Sequence, residues 1–273
     1  MNNILEISSL HNERIKEIIK LKDRRTRDKL GKTFLEGYRL ISRAFDAKFP
    51  IEECYFCPEQ FLGSNENSLL NALSENGVKL IKVNPSILTK MAYRDRPEGL
   101  IAVSKIKKHY LHSVEAKKNG LYLVLESIEK PGNLGSIMRA ADASGVDGIL
   151  ICDKRTDIYN PNVLTASTGA IFYVPFAECS SEEALEWLTK NKIQTLATTP
   201  HTDKSYDKIN LTESIAIVVG TEQVGLTDFW MNNSTIKTLI PMNGKIDSLN
   251  VAIATSVILF EAARQRRLAH SHI

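Results

Sequence analysis

The chain has 273 residues and a formal charge of +3, from 35 Lys and Arg against 32 Asp and Glu, a balance too even for charge alone to identify a nucleic-acid partner. With 43% hydrophobic and 25% charged residues it has the composition of a folded globular protein, and it lacks the run of about 18 apolar residues that marks a membrane span. The length suits two smaller domains better than one large one, and with no apolar stretch behind the first charges a cytoplasmic location is expected.

Residues 12 to 29 predict a basic helix in which Ile15, Ile18, Ile19 and Leu21 interrupt the charges. From Arg14 to Arg39 the chain carries Lys16, Lys20, Lys22, Arg24, Arg25, Arg27, Lys29 and Lys32 against Glu17, Asp23, Asp28 and Glu36. Such a run either neutralises phosphates or forms an ordinary solvated face. FLEGYRLISRAFDA predicts a second helix ending before Pro50. IEECYFC, VKLIKV and GLIAVS predict strands, with a helix around Ser68 to Glu75. Cys54 and Cys57 have a metal-like spacing, but they lie in a strand and Cys152 and Cys179 supply no second close pair, so no metal site is expected. These elements make a small α/β module over residues 1–105, a polar linker over 106–118 and a second domain over 119–273.

In the second domain LYLVLE and GILICD predict strands flanking a helix, and IQTLATT, IAIVVG and KTLIPM repeat the strand signature. VAIATSVILFEAARQRR predicts a long last helix, capped at Ser248. Three glycine-bearing loops follow three of the strands, at the carboxyl ends where α/β sheets bind ligands. EKPGNLGSIMRAADASG offers Pro131, Gly132 and Asn133, a helix start at Gly135, and Arg139 about one turn further on. GTEQVGL offers Gly220, Glu222 and Gly225, with Glu222 either an acceptor for backbone amides, a general base or a plain loop staple. PMNGKIDSLNVA offers Gly244, Ser248 and Asn250, with Ser248 either a helix cap or a substrate ligand. Neither the dinucleotide glycine pattern nor a phosphate-binding GxxxxGK[ST] loop occurs, which disfavours NAD and ATP and leaves room for a cofactor without phosphates, such as an adenosine with a sulfonium tail.

The segments EKPGNLGSIMRAADASGVDGILI, IVVGTEQVGL and LIPMNGKIDSLNVAIATSVILFEAARQR, in this order over about residues 119 to 267, resemble the three motifs of the SpoU or TrmH-like RNA 2'-O-ribose methyltransferases. FLEGYRLI resembles, less specifically, a small ribosomal-protein-like substrate-binding module that several members carry. The resemblance implies an α/β chain with a C-terminal trefoil-knotted SPOUT domain, against the general rarity of threaded chains, and a small N-terminal α/β domain of L30e-like fold. It implies S-adenosyl-L-methionine as cofactor, no metal, a homodimer through the C-terminal domain, and structured RNA as partner. Ribosomal RNA is the first expectation; tRNA, an antibiotic-resistance target in 23S rRNA, or RNA binding without catalysis are the alternatives. Carried onto this sequence, the family pattern puts Asn133 and Arg139 beside the reacting ribose and its phosphate, with Ser248 and Asn250 completing the catalytic set. Thr198, Gly220, Glu222, Ile240, Met242, Ser248, Leu249 and Asn250 surround or support the methyl donor. Ser167 and Gly169, in TASTGAIFYVP, match a shorter signature of helix and strand packing. The family proposal makes Arg139 the base, but a guanidinium normally stays protonated up to about pH 12, and a cationic Arg139 could equally stabilise the alkoxide or hold the adjacent phosphate, so its protonation role stays open.

Overall fold

Short strands alternate with helices throughout, and the computed structural model describes residues 4–270. The elements are β1 (Leu5–Ile7), α1 (Glu13–Lys20), α2 (Arg24–Leu30), β2 (Lys32–Glu36), α3 (Tyr38–Asp46), β3 (Ile51–Phe56), α4 (Glu66–Glu75), β4 (Lys79–Val83), α5 (Pro85–Met91) and β5 (Leu100–Lys105). They continue as β6 (Leu121–Glu126), α6 (Pro131–Ser144), β7 (Gly148–Cys152), α7 (Pro161–Ser167), β8 (Phe176–Cys179), α8 (Ser181–Lys190), β9 (Gln194–Thr198), β10 (Ile215–Val219), α9 (Asp228–Asn233), β11 (Ile236–Thr238) and α10 (Val251–His270). Backbone contacts divide the chain into one unit that runs to Lys107 and also takes Tyr159–Phe172, and another made of Lys108–Ile158 and the residues from Tyr173 on.

The first unit holds a mixed sheet in the order β1-β4-β3-β5-β2. Its core joins Ile15, Ile18 and Leu21 of the first helical region to Phe34, Tyr55, Ile81, Val103 and the apolar face of α5. The single basic helix expected over residues 12 to 29 is two helices, because Asp23 caps the second one by accepting from the Thr26 amide at 3.0 Å. Arg27 lies at the break, buried, and donates to the carbonyls of Leu21 (2.7 Å) and Lys22 (2.9 Å), so this member of the basic run is structural. The helix expected from FLEGYRLI starts only at Tyr38; the residues before Gly37 are β2, paired antiparallel with β5. Gly37, at φ 91°, makes the turn between them.

The segment Tyr159–Phe172 is built into this same unit. The Arg43 guanidinium donates to the Thr168 carbonyl and to its hydroxyl, the Tyr159 hydroxyl donates to the Lys107 carbonyl at 2.8 Å, and the Phe49 ring packs on Phe172 at 4.8 Å. Ser167 and Gly169 lie here, at the left-handed end of α7.

The second unit is a six-stranded, all-parallel sheet in the order β11-β9-β10-β6-β7-β8. Central strands β6, β7 and β10 are buried along their whole length, which is why each reads as a continuous apolar run. One face is covered by a core that includes Tyr122, Val124, Leu150, Leu188 and Trp230, while α10 packs on α6 and β10. The polar stretch over 106–118 is largely part of this unit: the His109 carbonyl accepts from the Glu178 amide at 3.1 Å, the His109 ring stacks on Phe176 at 3.7 Å, and Val114 is buried. All four cysteines are free, and no cluster of metal-binding side chains occurs among the described residues.

Candidate active site

Parallel pairing brings the ends of β11, β9, β10 and β6 to one edge of the sheet, and the three glycine-bearing loops leave from that edge. The first loop follows β6 and enters α6 at Pro131, in the helix-opening position that proline favours and one turn earlier than the expected start at Gly135. After β10, the second loop doubles back through reciprocal backbone bonds between Thr221 and Gly225 of 3.0 and 3.1 Å. Gly220 is obligatory here: a Cβ on it would stand 2.2 Å from the Gly225 carbonyl oxygen, a rigid backbone atom. The third loop ends at Asn250, which caps α10 by accepting from the Ala252 amide at 3.0 Å. Asn250 is thus the cap; Ser248, exposed in the loop, reaches only Asp247 Oδ1 among the described residues, at 3.5 Å.

Glu222 ties the three loops together. Its Oε1 accepts from Asn133 Nδ2 and Asn250 Nδ2, each at 2.5 Å, its Oε2 pairs with Lys130, and Asn250 Nδ2 also reaches Asn133 Oδ1 at 3.2 Å. Lys130 above all, then Asn133, holds the Glu222 carboxyl below the usual carboxylate range. A general base works best with a pKa near the operating pH and a free lone pair aimed at substrate. Glu222 meets neither condition, so the geometry makes it a clamp. Beside it lies a small open cleft lined by Ile128, Lys130, Asn133, Thr221, Glu222 and Val251, among others.

Of the other residues singled out by sequence, Thr198 ends β9, Gly220 follows β10, and Ile240 and Met242 follow β11, on adjacent strands of the same edge. The Thr198 hydroxyl is shielded from solvent yet has no hydrogen-bond partner among the described residues. Leu249, half-buried, leads into α10. Arg139 stands apart from the clamp. It is exposed on α6 in a stripe with Gly132, Ser136, Asp142 and Ala143, without a hydrogen bond or ion pair among the described residues. Six positions separate it from Asn133, about 240° around the helix.

Three supports escaped the sequence reading. Glu126, buried at the end of β6, accepts from the Thr227 hydroxyl at 2.6 Å and the Thr227 amide at 2.9 Å, and so fixes the chain just after the second loop. Thr156 donates to the carbonyls of Ile128 and Glu129, at 2.7 and 2.6 Å, and pins the first loop. Lys130 completes the clamp. The one signal was an acid closing the apolar run LYLVLE, where a buried carboxylate must find donors.

Comparison with known proteins gives residues 120–260 as a match to the SpoU rRNA Methylase family and residues 12–102 as a match to the MRM3-like substrate binding domain. The chain is 28% identical to the 23S rRNA (uridine(2479)-2'-O)-methyltransferase of Streptomyces viridochromogenes, over 90% of this chain and 87% of that one. A crystal structure of an RNA 2'-O ribose methyltransferase is similar with a TM-score of 0.86 and 35% identity, covering 96% of this chain and 100% of that one. The AdoMet-bound rRNA methyltransferase from Sinorhizobium meliloti is similar with a TM-score of 0.87 and 28% identity, covering 96% and 98%.

Proposed function

From the premise that this chain belongs to the SpoU rRNA Methylase family, we propose that it methylates a ribose 2'-hydroxyl of ribosomal RNA with S-adenosylmethionine. The observation that carries this reading is the three-loop clamp centred on Glu222, at the carboxyl edge of a parallel sheet. The chain's own residues suit a methyl donor there: the buried Thr198 hydroxyl has no hydrogen-bond partner among the described residues, and Gly220 lets the second loop close tightly on Gly225 at the same sheet edge. When bound, the donor supplies a sulfonium-activated methyl group. Thr198, Gly220, Ile240, Met242 and Leu249 would hold it, with Ser248 between donor and RNA. The ribose 2'-oxygen would take that methyl group and release its hydroxyl proton to solvent water. Asn133 and Asn250, fixed by Glu222, orient the ribose, and the family motif assigns the oxygen and its phosphate to Arg139, which stands on another face of α6.

Isothermal titration tests the donor site: saturable S-adenosylmethionine binding is expected, and a folded sample without affinity at millimolar donor would sink the proposal. Mapping 2'-O-methyl groups in ribosomal RNA from cells with and without the gene identifies the nucleotide.

The second unit is read as a trefoil knot. In support, Gln265 and Arg266 of α10 bond to Ile209 and Leu211, in the connection between β9 and β10. The first unit, of L30e-like fold, captures RNA through the remaining basic residues of α1 and α2. The protein works in the cytoplasm; among the described residues no helix is long and apolar enough to cross a membrane.

The active form is a homodimer. Ile253 and Phe260 are 54% and 48% exposed and, with half-buried Val257 between them, form one apolar stripe on α10 that calls for cover. Phe260→Glu should convert the dimer to monomer in analytical ultracentrifugation. A wild-type protein that sediments as a monomer at all concentrations would refute the dimer.

A further inference from the structure

Residues 90–94 of the first unit are gripped by two oppositely charged side chains. The Lys22 ammonium, from the turn between α1 and α2, donates to the Lys90 carbonyl at 3.0 Å and the Ala92 carbonyl at 2.5 Å. The buried Glu36, last residue of β2, accepts from the amides of Tyr93 (2.8 Å) and Arg94 (3.3 Å). Arg94 turns back to Glu98 at 2.5 Å, and Glu98 lies against Gly37, the residue that opens α3. Three chain segments, Lys22–Arg25, Gly37–Arg39 and Tyr93–Glu98, are thereby held together at one end of the mixed sheet.

Tyr93 stands out on this framework. It is 42% exposed, although its hydroxyl is tethered as acceptor from Asn162 Nδ2 at 3.2 Å. A tyrosine whose hydroxyl is anchored while much of its surface stays open is a stacking platform rather than a core residue. Three exposed arginines lie on these same segments, Arg25, Arg39 and Arg96, and none forms an ion pair or hydrogen bond among the described residues. Asp23 and Asp95 are the exposed acids on these segments, and Asp23 is engaged as the cap of α2. Burying the Glu36 carboxylate beneath this loop costs free energy that its two amide donors offset only in part, and what the loop presents is an aromatic ring near arginines that form no ion pair among the described residues.

We propose that Tyr93, with Arg25, Arg39 and Arg96, forms the surface on which unpaired nucleotides of the RNA substrate dock, the ring stacking on a base and the arginines meeting phosphates. The proposal rests on the reading of this protein as an RNA methyltransferase, and it adds Tyr93 and Arg96, outside the basic run from Arg14 to Arg39. Phosphate contacts set register and affinity, whereas stacking requires a base that is out of a duplex.

Fluorescence anisotropy with an RNA hairpin carrying an unpaired loop, and with its fully paired counterpart, tests the surface in the full-length protein. Tyr93→Ala should weaken hairpin binding by about tenfold, in the range of one lost base stack, and leave duplex binding unchanged. Tyr93→Phe should bind like wild type. Arg96→Ala should weaken both RNAs and lower the salt slope by about 1; being exposed, it does not endanger the fold. At saturating RNA the methylation rate of Tyr93→Ala should equal wild type, so the defect appears in KM alone. Wild-type hairpin affinity in Tyr93→Ala, or equal losses in Tyr93→Phe and Tyr93→Ala, would overturn the stacking surface. If the wild-type protein methylates no RNA and Tyr93→Ala still loses the hairpin selectively, the surface stands and the methyltransferase reading falls.

Discussion

Arg139→Ala is expected to lower methylation of saturating RNA by at least about 100-fold, a loss of roughly 2.7 kcal/mol in transition-state stabilisation. Folding and methyl-donor affinity should hardly change. The side chain is exposed and makes no bond among the described residues, so its removal takes nothing from the resting protein. Its exposed neighbours on the helix are the small Gly132, Ser136 and Ala143 and one acid, Asp142, with which it forms no ion pair, so the guanidinium is open to an incoming ribose phosphate. A cation there stabilises an alkoxide as it forms and can hold the adjacent phosphate through a second N–H group. Arg139→Lys should recover little, because a point charge cannot replace a planar fork. Single-turnover assays at saturating RNA and donor separate chemistry from binding, and near-normal rates for both variants would return Arg139 to an ordinary surface role.

Glu222→Gln is expected to be nearly as damaging as Glu222→Ala, each lowering the single-turnover rate by about 100-fold, the scale on which misplaced reacting groups cost rate. The reason lies in the donor count. Lys130, Asn133 and Asn250 all donate to the carboxylate, and the amide orientations are set elsewhere, since Asn250 Oδ1 accepts from Ala252 and Asn133 Oδ1 from Asn250. A glutamine would point an NH₂ group at one of these donors. The sign of the pH dependence agrees: a carboxyl held below its ordinary value stabilises the closed clamp fully above the unfolded pKa. That contribution is lost only as pH falls through the lower folded value. Any inflection in rate between pH 6 and 8 (about one unit either side of neutrality) therefore arises from another group. Glu222→Gln with wild-type rate would show that the clamp is incidental to catalysis.

The parallel strands were readable because a strand buried on both faces must be apolar throughout, as LYLVLE, GILIC and IAIVV are. β2 was not, since Phe34 and Leu35 before Gly37 suit a helix or a strand equally. Only pairing with β5, from Lys32↔Lys105 to Glu36↔Ile101, decides between them. The site shows the same division. Its motifs named Asn133, Glu222 and Asn250, but no local rule shows that they meet across 89 and 117 positions of chain. Ser248 and Asn250 both rank as good helix caps, and the path of the third loop, which composition does not encode, gave the cap to Asn250. Tyr93 escaped notice because a lone aromatic in a loop carries no signal until Lys22 and Glu36 are seen to grip its neighbours.

The placement of Tyr159–Phe172 in the first unit governs how such a chain can be recombined. The backbone passes between the units at 107–108, again at 158–159 and again at 172–173, so no single splice separates RNA capture from chemistry. A chimera that grafts a foreign substrate module onto residues 108–273 would inherit Val163, Leu164 and Ile171, buried in this protein, without Arg43 or Phe49 to receive their segment. Exchange of substrate modules by one crossover should therefore give poorly soluble products, and modules with this inserted segment must change targets through point substitutions or carry residues 159–172 along as a second graft.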